Sequence, residues 1–230
     1  RALKIDTHRD YLQYVMNDTT GTEIVQLLDA ISTNVTSFYR EGEHFTFLSK
    51  ILKGWYDKGQ RRFRIWCAAS STGEEPYTLA ITARETLGNS VPDFKILATD
   101  ISTRVLEKAV RGVYSEERIS GVPSSLRGRY FSQRRANGEV CYEAEPVLKD
   151  LLTFQRLNLS VTPFPMRGPF DVVFCRNVMI YFDNTVRSRL LNEVSRLLKP
   201  GGYLMVGHAE SLTGMMSTFK TEQPSIYFKG

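Results

Sequence analysis

The chain has 230 residues, of which 42% are apolar and 24% charged, and it carries a formal net charge of +5. Those proportions suit one globular domain with at most a small appendage, not a disordered or membrane chain. No run of about 18 apolar residues is present and no basic-then-apolar segment opens the chain, so neither a transmembrane helix nor a secretory signal is expected.

The chain begins Arg1-Ala2-Leu3 rather than with Met, and helix-like text follows almost at once, so it reads as part of a longer protein trimmed at its N-terminus. Cys67, Cys141 and Cys175 are odd in number and widely spaced, and only three histidines accompany them. A disulfide framework and a zinc site are therefore disfavoured, and Cys67 and Cys175 read as buried thiols of a cytoplasmic protein. The modest basic excess is compatible with a nucleic acid, an anionic membrane face, an acidic protein or simply a solvated surface.

In chain order, residues 9–18 and 22–33 read as helices, the second with Ile24, Leu27, Leu28 and Ile31 at helical spacing. Helical text continues through Phe45, Leu48, Ile51, Leu52 and Trp55. Phe63 to Ala69 then reads as a buried strand, Ser70 to Gly73 as a loop, and Glu74-Glu75-Pro76 as the start of a helix running to about Leu87, with Pro in the tolerated first turn. Phe94 to Thr99 forms a second strand ending at Asp100, and Ser102 is the expected N-cap of the next helix. Phe170 to Cys175 is another strand. A helix from about Asn184 to Leu198 stops at Lys199-Pro200-Gly201-Gly202, Tyr203 to Gly207 makes the following strand, and the last strand falls near Ser225–Phe228. Strands alternating with helices predict an α/β fold with a mostly parallel sheet covered on both faces. One stretch breaks the alternation. From about 128 to 154, strand-like Arg129-Tyr130-Phe131 and Val140-Cys141-Tyr142 flank a turn at Asn137-Gly138, which predicts a small antiparallel insertion.

A strand, a Gly-bearing loop and a helix, followed by a strand ending in Asp, suit an adenosine-containing ligand: the loop lets backbone approach and the acid accepts from ribose hydroxyls. Gly73, Asp100 and Arg176 are expected to converge beyond the C-terminal strand ends. The loop is not G-x-G-x-x-G, and Glu74 and Glu75 would repel a pyrophosphate at a helix N-terminus. That disfavours NAD and ATP and suits a ligand carrying an ammonium or a sulfonium. The bland reading of the same loop is a helix N-terminus bearing dipole-favourable acids.

Four stretches sharpen this. Thr33-Asn34-Val35-Thr36-Ser37-Phe38-Tyr39-Arg40-Glu41 resembles the segment opening the catalytic domain of CheR-type chemotaxis methyltransferases. Ala68-Ala69-Ser70-Ser71-Thr72-Gly73-Glu74-Glu75-Pro76-Tyr77 resembles that family's cofactor loop nearly residue for residue. Phe170-Asp171 through Cys175-Arg176-Asn177-Val178-Met179-Ile180-Tyr181-Phe182 resembles its fourth-strand motif, and Gly207-His208-Ala209-Glu210-Ser211 the segment after the fifth strand. They occur in the right order over about residues 33–212. Leu197-Leu198-Lys199-Pro200-Gly201-Gly202-Tyr203-Leu204, structurally a tight turn from helix to strand, is also frequent in Rossmann-like methyltransferases.

The resemblance implies a Rossmann-like class I methyltransferase: the last part of a helical N-terminal domain over residues 1–33, then a catalytic domain over 34–230 that carries the β-subdomain. It implies S-adenosyl-L-methionine as cofactor, S-adenosyl-L-homocysteine as product, and transfer of methyl to glutamate carboxylates of chemoreceptors, forming esters for sensory adaptation. Asn34, Thr36 and Arg40 would line the cofactor site, with Gly73 in the loop, Glu74 on the amino end of the methionine moiety and Asp100 on the ribose. Asn158 and Leu159 would flank the adenine, and Arg176 and Asn177 would close the site below the methyl group. Arg40 and Tyr181 would lie nearest the transferring methyl. On local grounds Asn34 also reads as a helix cap, Tyr181 as a core aromatic and Arg176 as a structural ion-pair residue. His208 reads as structural, since an ionised carboxylate nucleophile needs no base. The expected partner is the acidic helical coiled coil of the receptor signalling domain, met by a monomer without nucleic acid or membrane insertion, with Arg1, Lys4, His8 and Arg9 as the basic remnant of the docking domain. The turn Ser132–Gly138 is shorter and less glycine-rich than in members that bind a receptor pentapeptide tether, so a tether-independent enzyme is expected. Two alternatives stand beside this: a Rossmann-like methyltransferase acting on RNA through Arg127, Arg129, Arg134 and Arg135 or on a small molecule, and a non-catalytic cofactor-binding module.

Overall fold

The structure is a computed structural model that describes residues 5, 7–20, 22–31, 34–88, 93–136, 138–212 and 218–230. Arg1, Lys4, Ser32, Thr33 and Asn137, which figured in the sequence reading, lie outside the described residues.

Two short helices lead, α1 (His8–Asn17) and α2 (Thr22–Ile31). Thr7 caps α1 by accepting from the Asp10 amide, and Asp18 accepts from the Glu23 amide at the start of α2. An Arg104 side chain donates to the Asp29 carbonyl at 3.2 Å and so ties α2 to the body. An irregular segment, 34–42, follows and leads into α3 (Glu43–Asp57).

The body then alternates: β1 (Phe63–Cys67), α4 (Glu74–Leu87), β2 (Phe94–Asp100) and α5 (Thr103–Arg111). Ser102 caps α5 by accepting from the Val105 amide. Short elements come next: β3 (Val113–Ser115), α6 (Glu116–Ile119), α7 (Ser124–Tyr130), β4 (Phe131–Ala136), β5 (Glu139–Ala144) and α8 (Pro146–Lys149). The chain resumes the main sheet with β6 (Leu152–Arg156) and β7 (Phe170–Cys175), passes a 3-10 turn at Met179–Tyr181, and ends with α9 (Asn184–Leu197), β8 (Leu198–Val206), β9 (Phe219–Gln223) and β10 (Ile226–Lys229).

Seven strands form one sheet in the order β6-β2-β1-β7-β8-β10-β9, parallel except for β10, which runs antiparallel to both its neighbours. Alternation along the central strands splits the core into two layers. Phe63, Ile65 and Cys67 of β1 face the layer holding α3 and α4, whereas Trp66 faces the layer holding α9. β7 divides the same way, Val172 and Phe174 against Val173 and Cys175. A strand buried on both faces is close to apolar throughout, which is why 172–175 reads as an unbroken run, and the one acid before it, Asp171, accepts from the Arg64 amide and pairs with Lys199. The one polar atom of Trp66 is satisfied inside the core: its indole N–H donates to Thr99 Oγ1 at 3.0 Å.

The small antiparallel sheet has the order β3-β5-β4. Its third strand comes from Val113–Ser115, upstream of the stretch where the sequence placed the insertion, and β6 at the far end of that stretch belongs to the main sheet. Two local expectations are corrected. Arg129 and Tyr130 end α7 instead of forming a strand, and Ser132–Ala136, read as turn, is strand β4. Ala136 pairs with Glu139, so the hairpin connection has only two residues, with Gly138 at φ +83°. The polar text of β4 (Ser-Gln-Arg-Arg) hid its extended conformation, because an edge strand of a small sheet needs little apolar surface.

Candidate active site

The loops at the C-terminal ends of β1, β2, β6 and β7 and the segment before α3 enclose a cavity of about 400 Å³. Its walls are Asn34 to Ser37 with Arg40, then Ala68, Ala69, Ser71 and Glu75 after β1, Asp100 and Ile101 at the end of β2, Leu157 to Leu159 after β6, and Arg176 to Val178 with Tyr181 and Phe182 after β7. Parallel strands deliver these loops to one edge, which is where ligands bind in open α/β sheets.

Each wall has a local cause. The 34–40 segment is held by Phe38, buried edge-on against Tyr114 and Phe131 with ring centres 4.9 and 5.7 Å away, and by the Tyr39 amide donating to Thr78 Oγ1. Tyr39 and Glu41 both adopt left-handed backbone at φ 56°, unusual for such residues, so the contacts around them over-determine a strained path. The loop after β1 turns on Gly73 at φ +100°, where a Cβ would lie 2.7 Å from Tyr114 Oη and 3.1 Å from the Ala109 backbone. Only glycine suits that conformation in that space.

Asp100 is oriented by two main-chain amides, Ser71 onto Oδ2 at 2.8 Å and Ser102 onto Oδ1 at 3.0 Å. Burial pushes its carboxyl above the usual range, opposed by those amides. Glu75 points its carboxylate into the cavity wall between Cys67, whose thiol donates to Oε1, and Arg176, whose Nη1 lies 2.9 Å from Oε2. Burial raises the Glu75 carboxyl too, with Arg176 pulling the other way. The same burial keeps the Cys67 thiol protonated, well above its ordinary value.

Arg176 is the hub of the site. It is 5% exposed, donates to the Arg40 carbonyl, lies 3.2 Å from Glu41 Oε2 and sits over the Phe45 ring. It thus ties the 34–41 segment to the loop after β1. Asn177, at φ 57°, directs Nδ2 at Glu41 Oε1, and a Cβ at Gly207 would overlap its side chain. The whole 177–180 turn hangs on Glu210: Oε2 accepts from the amides of Asn177 and Gly207, and Oε1 from those of Val178, Met179 and Ile180. One buried carboxylate therefore satisfies five main-chain donors and joins the loop after β7 to the loop after β8.

Of the residues singled out from sequence, Asn34, Thr36, Arg40, Asp100, Asn158, Leu159, Arg176, Asn177 and Tyr181 all stand on the cavity wall. Gly73 and Glu74 do not. Glu74 is fully buried and faces the opposite way, accepting from Thr72 Oγ1 and Arg118 Nη1, each at 2.6 Å. The adjacent Glu75 takes the cavity position, because residues one apart on a helix point about 100° apart. Asn34 is not the N-cap of α3, which begins at Glu43 after Gly42. Tyr181 is 59% exposed at the mouth and is not a core aromatic. Arg176 is both an ion-pair residue and a wall residue. Glu41, Glu75 and Glu210 stand in the stretches that carry the resemblance but received no site role from sequence. The two-residue Glu-Glu signal contained Glu75 without distinguishing it, and the motifs that contain Glu41 and Glu210 do not reveal which distant groups they meet.

The cavity fits a ligand joining an adenosine to a cationic amino acid: its volume lies in the range of roughly 300–1,000 Å³ typical of small-molecule sites, an amide-held carboxylate stands at the β2 end, and a second carboxylate stands at the first loop. Comparison with known proteins gives the same answer. A model of the CheR methyltransferase SAM-binding domain matches residues 34–228. A chemotaxis protein methyltransferase of Borreliella burgdorferi is 40% identical over 89% of this chain and 74% of its own length. One from Escherichia coli K12 is 36% identical over 99% of this chain and 78% of its own, and chemotaxis protein methyltransferase 2 of Pseudomonas aeruginosa 37% identical over 99% and 80%. The chain belongs to the CheR family of S-adenosylmethionine-dependent methyltransferases.

Proposed function

We propose that the chain transfers the methyl group of S-adenosylmethionine to glutamate side-chain carboxylates of chemoreceptors, as esters that serve sensory adaptation. The observation that carries this is the cavity mouth: Arg40 and the exposed Tyr181 border an opening above a wall that already holds two carboxylates, Glu75 and Asp100.

In this reading Asp100 accepts from the ribose hydroxyls and Glu75, rather than Glu74, takes the ammonium. Asn158 and Leu159 flank the adenine, with Asn158 Oδ1 already accepting from the Ser160 amide and hydroxyl, so its carbonyl end is fixed. Asn34 and Thr36 hold the near side, and Arg176 and Asn177 set the floor. The cofactor supplies an electrophilic methyl on a sulfonium. A glutamate carboxylate is ionised at neutral pH, so no residue need remove a proton. The protein's task is to align the nucleophile and exclude water. Charge disappears as the ester forms, so an environment less polar than water favours the transfer. Too firm a grip on the carboxylate would stabilise the ground state instead. Arg40 suits a loose grip: Nη1 is engaged with the Val35 carbonyl at 3.0 Å and its side chain is only partly buried. Tyr181 contributes a weaker hydrogen bond from the mouth.

Against an RNA substrate stands the disposition of the basic cluster. Arg129 pairs with Glu85, Arg134 with Glu143, and Arg127 donates to the Val122 carbonyl and lies over Tyr142. Three of the four cations are thus engaged within the chain, which weakens the case for a free stripe offered to phosphates.

The test is incubation with methyl-labelled cofactor and a receptor signalling domain, followed by mild base. Release of labelled methanol identifies an ester; label that resists base points to N-methylation and refutes the reading. Tyr181→Phe and Arg40→Ala should each lower kcat with little change in cofactor Kd, and full activity in both would remove them from these roles.

A further inference from the structure

The spacing of the histidines along the chain disfavoured a metal site, yet the fold brings two of them together. His44 at the start of α3 and His208 after β8 flank Glu41, and one ligand atom from each of the three lies within 4.8 Å of the others. His44 Nδ1 is 3.6 Å and His208 Nε2 3.9 Å from Glu41 Oε2. Two donors held about 2.1 Å from a tetrahedral zinc ion stand roughly 3.4 Å apart, so these separations need little adjustment.

The hydrogen-bond pattern shows what is missing between them. His44 is fully buried, and its Nε2 meets Ser225 Oγ at 2.9 Å. The Ser225 hydroxyl spends its only proton on the Pro224 carbonyl at 2.7 Å. With that proton on Pro224, Nε2 carries the ring proton and Nδ1 presents a bare lone pair to the carboxylate. His44 Nδ1 has no hydrogen-bond partner although it is sealed from solvent, and the buried Glu41 Oε2 makes no hydrogen bond and is met only by the Arg176 guanidinium, 3.2 Å away. Two acceptors facing each other at this distance repel, and a buried acceptor left unpaired costs free energy. A cation between them removes both costs. The Nε2–H to Ser225 bond is also the outer-shell contact that orients a metal-bound imidazole. Glu43 contacts His208 Nε2 from the open side and offers a fourth donor, and because His208 and Glu43 are both more than half exposed, an ion has a path in. Arg176 near Glu41 opposes a second cation, but its charge is already shared with Glu75.

We propose that Glu41, His44 and His208, with Glu43 as fourth donor, form a binding site for a divalent transition-metal ion of the zinc class. The bound ion clasps the 41–44 segment to the loop after β8, directly behind the Arg176 wall of the cavity.

The test uses the untagged chain without cofactor, dialysed against Zn²⁺ alone and separately against Co²⁺. One ion per chain, a cobalt d–d spectrum of tetrahedral type without sulfur charge-transfer bands, and a rise in melting temperature on Zn²⁺ addition are expected. His208→Ala, at a half-exposed position that the fold tolerates, should weaken binding about tenfold or more and abolish the thermal shift. Glu41→Gln should do the same. Failure to retain a stoichiometric ion, retention unchanged in His208→Ala, or sulfur charge-transfer bands that place the ion on a cysteine would each overturn the proposal.

Discussion

Glu74 and Glu75 are neighbours with different duties, and the difference is testable. Glu75→Gln removes the charge facing the cavity and should weaken cofactor binding by about 10- to 100-fold, the worth of one charge-assisted contact of roughly 1.5–3 kcal/mol. Glu74→Gln breaks a buried contact to Arg118 and should instead cost roughly 1–3 kcal/mol of stability, a fall of several degrees in melting temperature, with cofactor affinity within a few-fold of the parent. Calorimetric titration and a thermal melt separate the two; the opposite assignment would restore Glu74 to the cofactor. The carboxyls of Glu75 and Asp100 both sit above their ordinary values because of burial. The sign follows: with raised folded pKa values, both take up protons at a higher pH than surface acids do, so the free protein loses these anions first as pH falls. A cationic ligand favours the ionised forms, so cofactor affinity should decline as pH falls through the raised range of these two carboxyls, with proton release on binding there. Affinity measured across that range in buffers of different ionisation enthalpy reads both effects; a flat profile would place the ammonium elsewhere.

At the scale of elements, the site depends on turns held by single residues. Glu210 anchors the loop after β7 through four amides and accepts from a fifth, that of Gly207 after β8. Glu210→Ala leaves them buried without an acceptor and should destabilise the chain by roughly 3–5 kcal/mol. Glu210→Gln keeps one good acceptor and should fall between, with cofactor affinity tracking the loss because Arg176, Asn177 and Tyr181 all ride on that loop. If Glu210→Ala melts like the parent, the anchor reading is wrong. Gly73→Ala forces an L side chain into φ +100° with a Cβ against Tyr114 and Ala109. A cost of about 2–4 kcal/mol is expected from strain and overlap together, read from denaturant midpoints.

At the scale of the molecule, the three-stranded sheet is coupled to the cavity through one chain of contacts. Arg118 of α6 reaches Glu74 and Thr72, and Tyr114 of β3 donates to the Thr72 carbonyl. The small sheet thus buttresses the outer side of the loop after β1, while Glu75 faces the cavity on the inner side. We propose that methylation does not need a receptor pentapeptide, consistent with the two-residue connection between Ala136 and Glu139. Receptors with and without such a C-terminal tail should then be methylated at similar rates, and a marked preference for the tail would reverse that view.

Local signals in the sequence set the alternation of β1, α4, β2 and α5, the helix starts at Glu74 and after Ser102, and the meeting of Asp100 and Arg176 at one sheet edge, although Gly73, expected beside them, lies off the cavity wall. These are local signals: apolar runs for strands buried on both faces, caps, a glycine at a forced turn, and a strand that ends in an acid. Tertiary structure alone decided which of two adjacent glutamates faces the cavity, that polar Ser132–Ala136 is a strand, and that Val113–Ser115 completes its sheet. It also decided the contacts of widest reach in sequence, Arg176 with Glu41, Glu210 with the 177–180 amides, and His44 with Ser225. Such pairs lie tens to nearly two hundred residues apart. No periodicity or cap marks them, because their partners meet only after the sheet has aligned the loops that carry them.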